Sequence, residues 1–150
     1  MGRVVAIHIA SGKGARCESI PSARLLAGRG IEGDRNCAKE TPDKPRSGRD
    51  VTLIEREALE AVTRDYKLAL QPADSRRNIL TEGIALNHLV GREFQIGEAR
   101  LLGVRLCEPC NYLEQLTTSG IREALVHRGG LRATIITGGT VRLGDSIVAV

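Results

Sequence analysis

Aromatic residues are almost missing from this 150-residue chain, which has two tyrosines, one phenylalanine and no tryptophan. Its core must therefore be built from valine, isoleucine, leucine and alanine. The composition, with 41% hydrophobic and 27% charged residues, is that of a globular protein. Few aromatic rings also argue against nucleic-acid binding, because proteins that bind single strands stack the bases on such rings.

Long apolar runs are missing too. No segment approaches the ~20 apolar residues of a membrane-spanning helix, and the N-terminus shows no basic region followed by an apolar stretch and a cleavage site. Without an export signal, the four cysteines are expected to be reduced thiols rather than disulfides. We therefore expect a cytoplasmic protein that makes no membrane contact, folded as one domain over residues 1–150.

The charge balance favours an anionic partner. Lysine and arginine number 22 against 18 acidic residues, a formal net charge of +4. A mild excess of this kind suits a small phosphorylated ligand as well as it suits nucleic acid.

Short apolar segments with turn residues between them predict a fold that is mainly β. The expected strands are 4–9, 22–26, 51–54, 78–80, 101–106 and 133–136. Segments 94–101 and 141–148 share an apolar-polar-apolar pattern followed by glycine and an acidic residue, which is typical of a hairpin. No regular alternation of strand and helix favours a parallel sheet. The sequence predicts a closed or partly open antiparallel β-barrel with inserted helices.

The clearest helix is predicted for residues 55–66, where apolar side chains recur at helical spacing. Shorter helices are expected at 86–90 and 121–126. Residues 28–50 are rich in glycine, proline and charge, and they predict a long loop that is either a mobile lid over a ligand or plain disorder.

The segment Cys107-Glu108-Pro109-Cys110 directly follows a predicted strand and allows three chemistries. A zinc site would need further ligands from Cys17, Cys37 or a histidine, and no second close pair exists. A dithiol redox centre of the thioredoxin type would need a βαβ context that is absent. A single thiolate near cationic groups is reactive and can bind a soft metal or carry sulfur. The alternative is that both cysteines are small core residues.

Two basic segments are candidates for holding an anion. Arg76, Arg77 and Asn78 are adjacent, and the planar donor fork of arginine matches phosphate; equally, two neighbouring arginines can simply solvate a surface turn. Arg128, Gly129 and Gly130 form a flexible turn whose backbone donors can approach an anion, and the same glycines can end a helix.

Taken in order, several short motifs resemble those of a MOSC domain, the module related to the C-terminal part of molybdenum cofactor sulfurases. They span most of the chain: Gly30-Ile31-Glu32-Gly33-Asp34, Ser75-Arg76-Arg77-Asn78-Ile79, Leu89-Val90-Gly91, Phe94-Gln95-Ile96-Gly97, Cys107-Glu108-Pro109-Cys110, Arg128-Gly129-Gly130-Leu131, Gly139 and Gly144-Asp145. One position departs from the pattern, since Asn36 stands where many relatives have histidine.

The resemblance implies a β-barrel that binds molybdenum cofactor, with the key cysteine at Cys110. In the family this cysteine is thought to carry sulfane sulfur or to ligate the molybdenum of the pterin cofactor, and thiolate suits such a metal. Arg76, Arg77, Asn78, Arg128, Gly129 and Gly130 would then bind the cofactor and its phosphate. Cys107 would only assist.

Two functions follow from the resemblance. In the first, the chain binds molybdenum cofactor or holds a persulfide on Cys110 and delivers it to a partner, with a cysteine desulfurase or a molybdoenzyme as the other protein. In the second, it is the molybdenum-dependent component of a reductase acting on N-hydroxylated compounds. The chain has no ferredoxin-type cysteine cluster and no flavin signature, so the reductase would need a separate electron donor.

Overall fold

A computed structural model describes all residues, 1–150, as eleven strands, three α-helices and two 3-10 turns. The strands are β1 (Gly2–Ile9), β2 (Glu18–Ser19), β3 (Ser22–Leu26), β4 (Gly30–Ile31), β5 (Val51–Glu55), β6 (Ile79–Glu82), β7 (Glu93–Ile96), β8 (Ala99–Leu106), β9 (Leu131–Thr137), β10 (Gly139–Arg142) and β11 (Ser146–Ala149). The helices are α1 (Arg56–Tyr66), α2 (Asn111–Leu116) and α3 (Ile121–Ala124), and the 3-10 turns are Pro72–Ser75 and Leu86–Leu89. None of the helices has the length and apolar character needed to cross a membrane.

Seven strands close into a barrel in the order β1-β11-β7-β8-β9-β5-β6, with β6 pairing back to β1. The predicted fold class, mainly β with inserted helices, is confirmed. The barrel is not antiparallel throughout, however, because β5 and β6 run parallel. Helix α1 lies between these two strands and carries the chain back across the sheet, as a parallel connection requires.

The two predicted hairpins have different outcomes. The first is confirmed, since β7 and β8 pair antiparallel with Ile96 opposite Ala99. The second is wrong: β10 pairs with β3 in a separate three-stranded sheet, whereas β11 pairs with β1 and β7 in the barrel. The intervening turn is bonded to β1 instead, with Gly144 N donating to Val4 O at 2.8 Å and Val4 N donating to Asp145 O at 2.9 Å. The chain changes sheets at this turn.

Apolar side chains form two cores on opposite faces of the barrel wall. The interior holds 19 buried residues, among them Phe94, the only phenylalanine of the chain. A smaller cluster of eight lies outside the barrel, where the helices cover β5 and β6. Strand β5 is buried on both faces, because Leu53 belongs to the interior core and Ile54 to the outer one. This accounts for its continuous apolar run, where a half-exposed strand would alternate.

The long segment 28–50 contains only the short strand β4, and arginine side chains tie it together. Arg46 donates to the carbonyl oxygens of Arg29 and, at 2.7 Å, Asn36. Arg29 donates in turn to Lys39 O at 2.8 Å. The segment ends at Asp50, a buried carboxylate whose pKa is raised by burial and which accepts Ile135 N at 3.0 Å. Residues 28–50 are thus fastened to the barrel at the β5–β9 side.

Candidate functional site

The cysteine segment begins where β8 ends and lies against the start of β9. Cys107 is buried, and its backbone N–H donates to Gly130 O at 2.7 Å. Cys110 is exposed and directly precedes α2, whose first turn closes with Glu114 N donating to Cys110 O at 3.2 Å. The sequence did not predict α2. The two thiols are therefore unequal, since only Cys110 is open to solvent.

Both cysteines line one cavity of about 130 Å³. Its wall also contains the predicted cations Arg76 and Arg77. The remaining lining residues are Lys13, Gly14, Arg35, Asn36, Thr52, Tyr112, Leu113 and Arg132. None of them is acidic, so every ionised side chain around the cavity other than a thiolate is positive. A cavity of this composition attracts anions.

Arg77 is a buried cation that holds the cysteine segment in place. Its Nη2 donates to Cys107 O at 2.9 Å, its Nε to Gly129 O at 2.7 Å and its Nη1 to Ser75 O at 3.2 Å. Burial lowers the pKa of this guanidinium, and the neighbouring Cys107 and Cys110 thiols oppose that shift. No carboxylate pairs with Arg77, and its three acceptors are backbone carbonyl oxygens.

Arg76 is half-buried and occupies the left-handed region of the backbone, with φ of 61°. Its Nη1 donates to Ala15 O at 2.7 Å, which ties the 3-10 turn before it to the loop after β1. Its carbonyl oxygen accepts a bond of 3.4 Å from Arg35 Nη2. Arg76 and Arg35 therefore approach the cavity together.

A second, wider cavity of about 460 Å³ adjoins the first. Five of its lining residues are shared between the two, namely Lys13, Arg35, Asn36, Tyr112 and Arg132, and Arg49 is added. Sequence reasoning missed the cations Lys13, Arg35, Arg49 and Arg132, because they come from four separate parts of the chain. Three of them lie in loops, and only the tertiary fold brings them beside Arg132, which lies opposite Thr52 on β5 and Arg105 on β8.

Asn78 does not line the cavity. Its side-chain oxygen accepts Thr52 N at 3.0 Å, and its amide nitrogen donates to His8 O at 3.1 Å. The residue is buried, and its side chain joins β5 to the end of β1. We therefore do not include Asn78 in the cofactor site, because its side-chain polar groups already form hydrogen bonds inside the barrel wall.

Arg128 also lies elsewhere, on the helical side of the molecule. It donates to Ala124 O at 2.7 Å and to Asp65 Oδ2 at 3.2 Å, and its guanidinium stacks over the ring of Tyr66 at 5.8 Å from the centroid. Through these contacts the Arg128 side chain links α1 to α3, and its charge is paired with Asp65.

The two glycines after Arg128 support the cysteine segment from behind. Gly130 has φ of 113°, and a Cβ there would overlap the carbonyl oxygen of Leu53. A Cβ on Gly129 would come within 2.5 Å of Cys107 O. Neither glycine lines the cavity, so they act through close packing.

No three or more histidine, cysteine, aspartate or glutamate side chains come together as a metal-binding group. Cys17 is buried, with its sulfur 4.0 Å from Arg35 Nη1, and Cys37 is half-buried beside Ala38 O at 3.6 Å. Burial raises the pKa of the Cys37 thiol. The additional ligands that a zinc site at Cys107 and Cys110 would need are therefore not assembled.

Comparison with known proteins gives one sequence family and several similar structures. A model of the MOSC domain matches residues 32–148. No curated protein sequence matches the chain. The crystal structure of the YuaD protein from Bacillus subtilis superposes with a TM-score of 0.84 at 17% identity, covering 98% of this chain and 94% of that one. YiiM from Escherichia coli gives a TM-score of 0.69 at 22% identity, covering 99% and 69%. YiiM from Geobacillus stearothermophilus gives 0.69 at 14% identity, covering 100% and 75%.

Proposed function

Because this chain belongs to the MOSC domain family, we propose that it binds molybdenum cofactor against Cys110 and uses that thiolate to hold molybdenum or a persulfide for delivery to a partner protein. MOSC domains are associated in general with molybdenum cofactor and sulfur transfer. The observation that carries the proposal is that Cys110 is exposed on a cavity whose charged side chains are otherwise all basic.

The side chains around the cavity fit a ligand that is anionic and contains a metal able to bind thiolate. Cys110 supplies a single sulfur ligand of the kind that molybdenum accepts. Arg76 supplies a fork of donors suited to phosphate, while Arg77 supplies charge from behind the cysteine segment. Arg132 also lines the cavity, and its buried Nε has no hydrogen-bond partner within the protein. An unpaired buried donor costs about 1–3 kcal/mol, so the protein does not use all of the hydrogen-bonding capacity of Arg132.

When bound, the cofactor supplies a molybdenum centre, and the protein supplies the thiolate, the positive surroundings and partial exclusion of water. Tyr112 and Leu113 lie at the start of α2 and line the same cavity, where they would cover part of a bound ligand. The phosphate tail of the cofactor would meet Arg76.

The carrier reaction needs only the Cys110 thiolate and a persulfide donor. The thiolate attacks the outer sulfur of a persulfide on a cysteine desulfurase, the S–S bond of the donor breaks, and the donor cysteine leaves as a thiolate. Cys110 then bears the transferred sulfur. The exposure of Cys110 allows this attack, whereas Cys107 is buried.

Cofactor content tests the proposal. The protein is purified from a host that makes molybdenum cofactor, and molybdenum and oxidised fluorescent pterin are measured in wild type, Cys110→Ser and the matched control Cys37→Ser. We expect both signals in wild type and control and their loss in Cys110→Ser. Equal and negligible content in all three proteins would contradict cofactor binding.

Sulfur transfer is tested separately. Apoprotein is incubated with a cysteine desulfurase and sulfur-labelled cysteine, and cyanide-releasable label is mapped to a peptide. We expect label on the peptide containing Cys110 and none after Cys110→Ser. Label that persists in that variant would contradict the carrier role. Turnover of an N-hydroxylated compound with a supplied reductase would support the reductase alternative.

A further inference from the structure

The positive excess of this protein comes from the region around Cys110. Lys13 and four arginines line the cysteine cavity, and Arg16, Arg49 and Arg105 lie beside it. Without these eight, the chain has 14 basic residues against 18 acidic ones. Among the eight, only Arg35 makes an ion pair with a carboxylate. The surface around the thiol is therefore basic, while the rest of the chain is not.

Four of these cations are exposed, and each is connected to the cysteine cavity. Arg16 lines a neighbouring cavity of about 220 Å³, and Arg76 belongs to the wall of both. Arg49 lines the wider adjoining cavity together with Arg132. Arg105 lies opposite Arg132 on the neighbouring strand. We call this exposed set the basic face; its members are Lys13, Arg16, Arg49 and Arg105.

The pairing of Arg105 with Arg132 is unfavourable in the protein alone. Residues directly opposite each other on antiparallel strands project to the same side of the sheet, and like charges in such a pair are destabilising. Neither arginine has a carboxylate partner. Carboxylates brought to this position from outside would relieve the repulsion.

The basic face extends beyond what a ligand in the cavity can contact. Arg16 and Arg105 line neither the cysteine cavity nor the wider adjoining one. Both are exposed, so their charges remain in solvent when the cavity is filled. A partner that meets them has to be larger than a cofactor and has to approach over the cavity mouth.

Helix α2 adds an apolar part to the same surface. Tyr112 and Leu116 are 43% and 42% exposed, and their spacing of four residues places them on one side of the helix. Tyr112 lies two residues after Cys110 and lines its cavity, and Leu116 lines the neighbouring cavity with Arg16. Tyrosine and arginine are the residues most enriched at the energetic centres of protein interfaces. The exposed thiol thus lies in a surface with the composition of a protein-binding site.

We propose that the basic face, together with Tyr112 and Leu116, docks an acidic surface of the protein that delivers sulfur to Cys110. This inference rests on the proposed function, because it takes Cys110 as the residue that receives sulfur, and it adds the chemistry of the partner. The partner carries carboxylates around its own reactive sulfur. Opposite charges steer the two proteins together and orient them so that the sulfurs meet.

Short peptides with one activated cysteine test the charge preference directly. In each, the cysteine forms a mixed disulfide with nitrothiobenzoate and is flanked by aspartate and glutamate, by serine and glutamine, or by lysine. The Cys110 thiolate attacks the peptide sulfur, the S–S bond breaks, and nitrothiobenzoate leaves and is followed by its colour. Apoprotein is used throughout, and Cys110→Ser supplies the background rate from the other thiols.

We expect the acidic peptide to react about tenfold faster than the neutral one at low ionic strength, and the lysine peptide to react most slowly. Salt should reduce these differences, because it screens exposed charges. Replacing both Arg16→Glu and Arg105→Glu should slow the acidic peptide severalfold. Alkylation of Cys110 by uncharged iodoacetamide should keep its rate, which shows that the thiol itself is unchanged.

Arg24→Glu is the matched control for charge reversal. Arg24 is exposed, has no carboxylate partner and lines a cavity that shares no residue with those near Cys110. Each single charge reversal, Arg16→Glu or Arg105→Glu, should slow the acidic peptide more than Arg24→Glu does. The apolar part is tested by adding leucine to the acidic peptide, which should raise its rate in wild type but not in Leu116→Asn.

Equal rates for the acidic, neutral and lysine peptides would overturn the docking surface. So would an effect of Arg24→Glu as large as that of either reversal in the basic face. A leucine effect that persists in Leu116→Asn would remove α2 from the surface. All of the replaced side chains are exposed, so the variants should fold.

The peptide rates are independent of the tests of the proposed function. A preference for the acidic peptide in a protein that acquires neither molybdenum nor sulfur label would leave the docking surface standing and remove the proposed function. Molybdenum or sulfur label on Cys110 without any charge preference would do the reverse.

Discussion

The guanidinium of Arg77 donates to the carbonyl oxygen of Cys107 across 2.9 Å, which joins the turn before β6 to the cysteine segment after β8. Ser75 and Gly129 supply the other two acceptors. Arg77 therefore fixes the backbone from which Cys110 is presented.

Replacing Arg77 should lower the stability of the fold. Arg77→Met leaves three carbonyl oxygens without their donor, and each unpaired buried acceptor costs about 1–3 kcal/mol, so we expect a loss of roughly 3 kcal/mol or more in the free energy of unfolding. Arg77→Lys keeps the positive charge but replaces the guanidinium fork by one ammonium group. Its free energy of unfolding should therefore lie between those of wild type and Arg77→Met. Urea unfolding measures both. Wild-type stability in Arg77→Met would show that these bonds do not hold the segment.

Asn78 should behave as a structural residue. Asn78→Ala removes the acceptor of Thr52 N and the donor to His8 O, and we expect about 2 kcal/mol of destabilisation. Molybdenum per folded molecule should stay at the wild-type level. A stable variant that had lost its molybdenum would instead place Asn78 in the cofactor site.

The Arg128–Asp65 contact makes a prediction about pH. Hydrogen bonds from Arg64 and Arg128 lower the pKa of the Asp65 carboxyl from 3.8 to about 2. A lowered carboxyl pKa stabilises the fold above pH 3.8, and this contribution is lost as the pH falls towards 2. Arg128→Ala should raise the Asp65 pKa, which carbon NMR of the carboxyl group can follow. Molybdenum content should not change.

An unchanged Asp65 titration together with lost cofactor would contradict this placement. It would mean that Arg128 reaches the ligand, as the resemblance implied, rather than the carboxylate on α1.

Gly129 should tolerate no side chain. Gly129→Ala puts a Cβ within 2.5 Å of Cys107 O and 3.1 Å of Pro109 Cδ, and overpacking of this kind costs about 1–3 kcal/mol. The matched control is Gly12→Ala, where a Cβ meets nothing within 4 Å. We expect a lower melting temperature and an altered rate of Cys110 alkylation in the first variant alone. Equal behaviour of the two variants would contradict the packing described for Gly129.

The sequence predicts correctly those elements whose strands and turn are neighbours along the chain. The hairpin of β7 and β8 was recognisable because its turn and both of its strands are contiguous. The segment 141–148 has the same local pattern, yet its two strands enter different sheets, since their partners β3, β1 and β7 lie far away in the chain. Strand partners depend on packing that a local pattern does not contain.

The site was predictable to a similar degree. The motifs identified Cys110, Arg76 and Arg77, all of which line the cavity. They did not identify Arg132, because a charged residue in a strand reads as ordinary alternation until its neighbours on β5 and β8 are known. Asn78 and Arg128 look like anion ligands in the sequence, and only tertiary contacts show that their polar groups are already used.

The most direct measurement is the rate at which iodoacetamide alkylates Cys110 in apoprotein, with and without molybdenum cofactor released from a molybdoenzyme, followed by mass spectrometry of the peptides. If the cofactor seats against this sulfur, alkylation of Cys110 slows severalfold when the cofactor is added, while alkylation of Cys37 keeps its rate. Identical Cys110 rates with and without saturating cofactor would contradict the account.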